Sequence, residues 1–181
     1  MKKVIIIRVC EIFLKGKNRF YFINLLEDHI KKALTGIDYD FEKMQMRYLV
    51  ENFDENDYDE IIDRLKKVCG IHTISPALAT ESSRENISAC VKELCKGKSG
   101  TFKIETNRAD KTFPLHSVEL SALIGGDVLS VYGKDLSVDV KHPQLLINVD
   151  IRENGKSLIF TDYIKGIGGM PTGSSGKGFL M

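Results

Sequence analysis

No Cys-x-x-Cys pair and no His-Glu-x-x-His occurs in the 181 residues, and the closest two cysteines, Cys90 and Cys95, are separated by four residues. The four cysteines, Cys10, Cys69, Cys90 and Cys95, stand apart, and the four histidines, His29, His72, His116 and His142, are scattered. These spacings do not suggest zinc, and no metal site is expected. With no secretory signal pattern at the N-terminus, the thiols read as reduced packing residues of a cytoplasmic protein. Long apolar runs are also lacking. Val4-Ile-Ile-Ile7 is far short of the roughly 20 residues needed to cross a bilayer as a helix, so no membrane association is expected.

An intact nucleotide-binding loop is missing as well. Counting back from Gly176-Lys177, the first glycine of a phosphate loop falls on Pro171, and its Ser/Thr position holds Gly178. Gly166-Ile-Gly168 is followed by Gly169-Met-Pro171, which breaks the dinucleotide fingerprint. No nucleophile–base pair is evident, and no catalytic residue is assigned. The net charge is only +1, but it is unevenly spread. Residues 1–20 carry Lys2, Lys3, Arg8, Lys15, Lys17 and Arg19 against Glu11, whereas residues 51–60 carry six acids and no base. Such asymmetry suits a basic face for a polyanion.

What is present is a pattern of elements. Residues 3–10 form an apolar, β-branched run, the mark of a buried strand. Phe22, Ile23, Leu26, Ile30, Ala33 and Leu34 follow at helical spacing and stop at Gly36. Residues 39–52 supply two strands, Tyr58 to Cys69 a helix behind an acidic start, and Ile71 to Thr80 a strand. The order is β-α-β-β-α-β, the split βαβ or ferredoxin-like unit.

The second half opens with Ser82-Ser-Arg-Glu85, read as a capping box, and a helix to Gly97. A strand follows at Thr101–Thr106, then a charged loop through Pro114. The helix from Ser117 must absorb Gly125-Gly126 by close packing or by a break. Strands at 136–140, 145–151 and 158–163 complete an α-β-α-β-β-β module. The fold class is α+β, with two modules in tandem.

Two charged segments look chemical. Glu11-Ile-Phe-Leu-Lys-Gly-Lys-Asn-Arg19 sets Lys15, Lys17 and Arg19 between a strand and a helix, where cations and backbone N–H groups can meet phosphates. Arg108 and Lys111, flanked by Phe113, end a strand, a combination suited to a single-stranded RNA end. The last residues, Phe179-Leu-Met181, turn apolar after a glycine-rich stretch and read as the cut edge of a further domain.

Taken in order, three stretches resemble the bacterial tRNA 4-thiouridine sulfurtransferase family, also called the thiamine-biosynthesis sulfurtransferases. They are Glu11–Arg19, the Arg108-x-Asp-Lys-x-Phe-Pro-x-x-Ser-x-Glu119 run, and Gly166–Lys177. The resemblance spans the whole chain. It implies an N-terminal ferredoxin-like domain, then an α/β THUMP RNA-binding domain, with a PP-loop ATP-pyrophosphatase domain to follow. The main part of the first domain is expected at 1–57, its last helix and strand reaching about 80. The THUMP region is expected at 58–165 with a core from about 81, and residues 166–181 as linker and first strand of the missing domain. Cys10 stands where the family usually has glycine.

The resemblance further implies ATP as cofactor, bound mainly by the missing domain, with Phe179, Leu180 and Met181 at the edge of that site. It implies tRNA as partner through its acceptor stem and 3′ end, and a cysteine desulfurase as sulfur donor to the whole enzyme. A homodimer is left open. Lys15, Lys17 and Arg19 are the candidates for the RNA backbone, and Arg108, Lys111 and Phe113 for the 3′ end. The alternatives are a stand-alone THUMP adaptor and another THUMP-containing tRNA-modifying enzyme. The latter leaves Leu14-Lys-Gly-Lys-Asn-Arg19 unexplained.

Overall fold

The computed structural model describes residues 1–9, 19–44 and 47–174. The chain divides into two compact units. One comprises Val4–Ser75 with Tyr163–Met181, the other Met1–Lys3 with Pro76–Asp162.

The first unit is ferredoxin-like. Strand β1 (Lys2–Val9) is followed by helix α1 (Arg19–Ala33), then β2 (Asp40–Met44), β3 (Arg47–Glu51), α2 (Tyr58–Leu65) and β4 (Ile71–Glu81). Strand β3 lies between β2 and β1, antiparallel to both, with Ile5 opposite Val50 and Phe41 opposite Val50 on the other side. Alternation along the strands sends Ile5, Ile7, Tyr48 and Val50 to one face, where Ile23, Leu26 and Ile30 of α1 and Ile61, Ile62 and Leu65 of α2 cover them. The i, i+3, i+7 spacing in α1 is what lets one helix stripe fill that face.

Arg64 joins the two helices. Its Nη1 donates to the carbonyls of Ala33 (3.1 Å) and Thr35 (2.9 Å), which lie at and beyond the end of α1. Helix ends leave carbonyls without partners, and a guanidinium is well matched to supply them. Burial raises the Tyr48 phenol above its ordinary range, and the nearby Glu27 carboxylate adds to the shift.

Strand β4 belongs to the first unit as far as Ser75 and to the second from Pro76. Helix α2 therefore lies with the first unit rather than opening the second. The glycine-rich segment also returns to the first unit. A short strand β9 (Ile164–Lys165) pairs antiparallel with Thr73 and Ile74. Gly166 N–H donates to the His72 carbonyl, Gly168 N–H to that of Ile71, and Gly70 N–H to that of Gly168. A side chain at Gly166 would collide with the Ile71 carbonyl. Pro171 is buried against Gly70. Up to Pro171, this stretch is packed structure.

The second unit carries α3 (Arg84–Cys95), β5 (Gly100–Arg108), α4 (Ser117–Tyr132), β6 (Leu136–Val138), β7 (Leu145–Ile151) and β8 (Lys156–Phe160). Strand β5 runs parallel to both β6 and β7, while β7 and β8 are antiparallel, and β8 pairs with the last residues of β4. Phe102, Ile104, Ile147, Val149 and Ile151 form the sheet side of the core. Ile87 and Val91 of α3 and Leu120, Ile124 and Val128 of α4 form the helix side.

Two local expectations are corrected. The cap of α3 is Ser83, whose Oγ accepts from Asn86 N–H at 3.1 Å, and Ser82 instead meets the Ser157 hydroxyl at 2.8 Å. A hydroxyl one residue later has the extended backbone a cap needs. Helix α4 runs through Gly125-Gly126 without a break, and a Cβ on either glycine would meet nothing within 4 Å. Neither close packing nor a break accounts for the pair.

Gly70 is a joint sensitive to substitution. Its φ of +103° is one that L side chains rarely adopt, and an added Cβ would stand 3.1 Å from Leu26 Cδ1 and 3.3 Å from Pro171 Cγ. Gly70→Ala should destabilise the chain by about 1–3 kcal/mol. A urea titration checks this; an unchanged midpoint would show that the joint is not strained.

Candidate nucleic-acid interface

The two cation-bearing segments fare differently. Lys15 and Lys17 lie outside the described residues, as do Phe179, Leu180 and Met181. Arg19 is the first residue of α1, half-buried, in a first turn that contains no acid. Phe20 and Tyr21 follow it and are 75% and 55% exposed. A first turn without acids is a setting favourable to anions.

The second segment is fully described. Arg108 closes β5, and its Nη1 donates to the carbonyls of Phe113 (2.8 Å) and Leu115 (2.7 Å). The guanidinium thus braces the turn that follows. Asp110 tightens the same turn, accepting from Thr112 N–H at 2.8 Å and from Thr112 Oγ1 at 2.6 Å. These two bonds, hydroxyl first, with the positive charge of Arg108 as a lesser cause, hold the Asp110 carboxyl below the usual aspartate range. Ala109 N–H anchors the base of the loop to the Ile151 carbonyl at 2.9 Å. Between these ties Lys111 is exposed. The loop holds one ammonium outward on a fixed backbone.

Phe113 requires a correction. Its ring is 7% exposed and belongs to the core of the second unit. It therefore presents no face to a base. Next to Pro114 in a charged loop, one aromatic anchors the loop to the core, as the Arg108 bonds to the Phe113 and Leu115 carbonyls do from the other side.

Sequence reading missed a feature beside this loop. Strand β5 and helix α4, which the loop connects, border an apolar cavity of about 620 Å³. Gly125, Gly126, Leu129, Val138 and Val140 are among its lining residues. The adjacent pair of glycines in a helix was the one signal available. The other striking arginine, Arg8, donates from Nη1 to Ser75 Oγ at 2.7 Å and lies 4.9 Å from the centroid of the Tyr163 ring.

Burial raises the thiols of Cys90 and Cys95 above their ordinary range, so they are poor nucleophiles at neutral pH. Among the described residues no group of three or more His, Cys, Asp or Glu is placed to hold a metal, and no helix is long and apolar enough to cross a membrane.

Comparisons with known proteins agree with this geometry. Residues 4–75 match the family model of the ThiI ferredoxin-like domain, and residues 81–162 that of the THUMP domain. A probable tRNA sulfurtransferase of Finegoldia magna is 42% identical over 178 residues, covering 94% of this chain and 44% of the relative. That of Thermoanaerobacter sp. strain X514 is 41% identical, covering 100% and 47%. The chain spans about half the length of the curated relatives it matches. Among solved structures, a 4-thiouridine synthetase in complex with RNA and ATP superposes with a TM-score of 0.83 at 34% identity, covering 100% of this chain and 46% of that one. The TrmN structure from Thermus thermophilus, 17% identical with a TM-score of 0.55, shares the fold alone.

The Lys111 loop yields a pH test. Because the folded-state pKa of Asp110 is depressed, its ties to Thr112 stabilise the loop above the ordinary aspartate pKa and are lost as pH falls through the lower, folded value. Thr112→Val, which removes the hydroxyl donor, should move the Asp110 titration midpoint upward in an NMR titration. A midpoint unmoved by that change would mean the turn is held otherwise.

Proposed function

From a chain that carries the ThiI ferredoxin-like and THUMP domains of the tRNA sulfurtransferase family, we propose the tRNA-docking part of an ATP-dependent enzyme that makes 4-thiouridine at position eight of tRNA. The similarity of this whole chain to part of a 4-thiouridine synthetase complexed with RNA carries this reading. In the whole enzyme, ATP activates the uridine at its C4 carbonyl, and sulfur arrives from a cysteine desulfurase. The same sulfur supply serves thiamine thiazole synthesis. The ATP-binding domain would follow this chain, with Phe179, Leu180 and Met181 at its edge. The enzyme would work in the cytoplasm.

The role of the present residues is positional. Lys15, Lys17 and Arg19 contact the phosphate backbone of the acceptor stem, where charge sets orientation without reading sequence. The braced Lys111 loop meets the 3′ end. Arg108 serves that contact through the loop, since its Nη1 holds the Phe113 and Leu115 carbonyls. Docking both ends of the acceptor arm places a distant uridine at the catalytic domain, which is catalysis by proximity and orientation. Another THUMP-containing tRNA-modifying enzyme is the weaker reading, because the TrmN structure shares only the fold, whereas a probable tRNA sulfurtransferase is 42% identical over 178 residues.

Residues 1–181 alone should bind tRNA with an affinity that falls steeply with added salt, because each neutralised phosphate releases counterions. Filter binding at two salt concentrations measures this, and binding indifferent to salt would contradict it. Lys15→Ala and Lys17→Ala should weaken binding to any acceptor-like stem. Lys111→Ala should remove about 1 kcal/mol, roughly fivefold in Kd, for a tRNA with an intact unpaired 3′ end and leave binding of a trimmed tRNA unchanged. Equal effects of all three changes on both RNAs would contradict the division of roles. The fragment should neither release pyrophosphate from ATP nor thiolate tRNA; sulfur incorporation by the purified fragment would overturn the assignment of chemistry to another domain.

A further inference from the structure

A smaller pocket, of about 260 Å³, lies within the first unit between the last turn of α1 and the chain after α2. His29 and Lys32 reach it from α1, Lys67, Val68 and Cys69 from beyond α2, and Thr172 from the glycine-rich tail. His29 and Lys32 are three residues apart, so they share one face of their helix. The tail is tied in place beside them. Gly70 N–H donates to the Gly168 carbonyl at 2.8 Å, Pro171 packs against Gly70, and the Pro171 carbonyl accepts from Ser174 N–H at 3.2 Å. The wall is thus built from three segments distant in sequence.

Its charge is one-sided. The chain carries 25 acids against 26 lysines and arginines, yet no carboxylate lines this pocket. Among the described residues neither Lys32 nor Lys67 has an ion-pair partner, whereas Lys66 pairs with Asp63 at 3.5 Å. Lysines near helix ends often serve unpaired carbonyls. At the end of α1 that role is already filled. Arg64 Nη1 serves the Ala33 and Thr35 carbonyls, and Thr35 N–H serves that of Lys32. Two ammonium groups, a half-buried imidazole and a threonine hydroxyl therefore line one space with no acid among them.

We propose that this pocket binds a phosphate monoester. Its volume lies below the roughly 300 Å³ at which small-molecule sites begin, so it suits a charged group rather than a whole nucleotide. A monoester carries about two negative charges at neutral pH and several strong acceptor oxygens. Lys32 and Lys67 match the charge, and the Thr172 hydroxyl and the His29 ring add donors. A backbone diester carries a single charge and is flanked by sugars on both sides, so it fits less well. Two sources supply a monoester: the 5′-terminal phosphate of an RNA and a free phosphorylated small molecule. The RNA source rests on the docking reading above; the binding of phosphate does not.

Cys69 is half-buried in the wall, so its alkylation reports occupancy. Inorganic phosphate, compared with chloride at equal ionic strength, should protect Cys69 saturably in the wild-type chain, as mapped by mass spectrometry. Lys32→Gln and Lys67→Gln should each raise the half-protecting concentration roughly fivefold. Lys66→Gln removes the same charge outside the pocket and should leave that concentration unchanged. Unlabelled Cys90 and Cys95, both buried, report that each variant is folded. A second arm compares an acceptor-stem RNA bearing a 5′-phosphate with the same RNA bearing a 5′-hydroxyl. If the RNA end is the source, the phosphorylated form binds more tightly and protects Cys69, and Lys32→Gln and Lys67→Gln erase the difference. If a small molecule is the source, inorganic phosphate protects and the two RNAs bind alike. Absence of both effects would overturn the site, as would an equal loss in Lys66→Gln, which would reduce it to diffuse surface charge. If the wild-type chain bound neither RNA, the docking reading would fall, and the phosphate arm alone would decide the pocket.

Discussion

The early end of β6 governs the second unit. A sheet edge paired through its whole length is closed, and one left open is a template for something else. Here the pairing stops at Val138, while β5 continues to Arg108 beside β7. The consequence is a strand whose inner edge is paired along its length and whose outer edge, beyond Phe102, has no strand partner among the described residues. Helix α4 covers the core face with Leu120, Ile124 and Val128 while lining the cavity with its glycines.

The loop that leaves this strand follows the same logic. Arg108 would read from sequence as a cation for a phosphate. Its Nη1 instead satisfies two carbonyls that the turn would otherwise leave without partners, and Asp110 satisfies the Thr112 amide. Phe113 holds the far side of the turn in the core. Three residues chosen by their chemistry thus divide into two that shape the loop and one, Lys111, that it displays. In the first unit a related economy applies, with Arg64 tying the end of α1 to α2 and the Gly166–Pro171 stretch packed against Gly70 and Ile71.

Much of this was legible in the sequence. The β-branched run at 3–10, the helical spacing of Ile23, Leu26 and Ile30, and the alternation of Phe102 and Ile104 mark elements whose period is set locally, and each element formed. What was not legible depends on pairing between distant residues. No local pattern tells that Phe113 turns inward, because a lone aromatic in a charged loop has no period to place it. The open edge of β5 required knowing where β6 stops, which is fixed by the chain beyond Val138 rather than by β5. Gly125-Gly126 was visible as an anomaly, yet its meaning lay in the absence of neighbours, which only coordinates show. Lys15 and Lys17 lie outside the described residues, so their part rests on sequence and similarity.

The central claim is that the second unit meets an unpaired RNA end through the loop that carries Lys111. The most direct measurement is photo-crosslinking from a tRNA whose 3′-terminal base carries a photoreactive group, with the attached peptides mapped by mass spectrometry. The account predicts crosslinks within residues 108–115, lost when the terminal nucleotides are base-paired to a complementary strand. Crosslinks confined to residues 4–75, or unaffected by pairing the end, would contradict it.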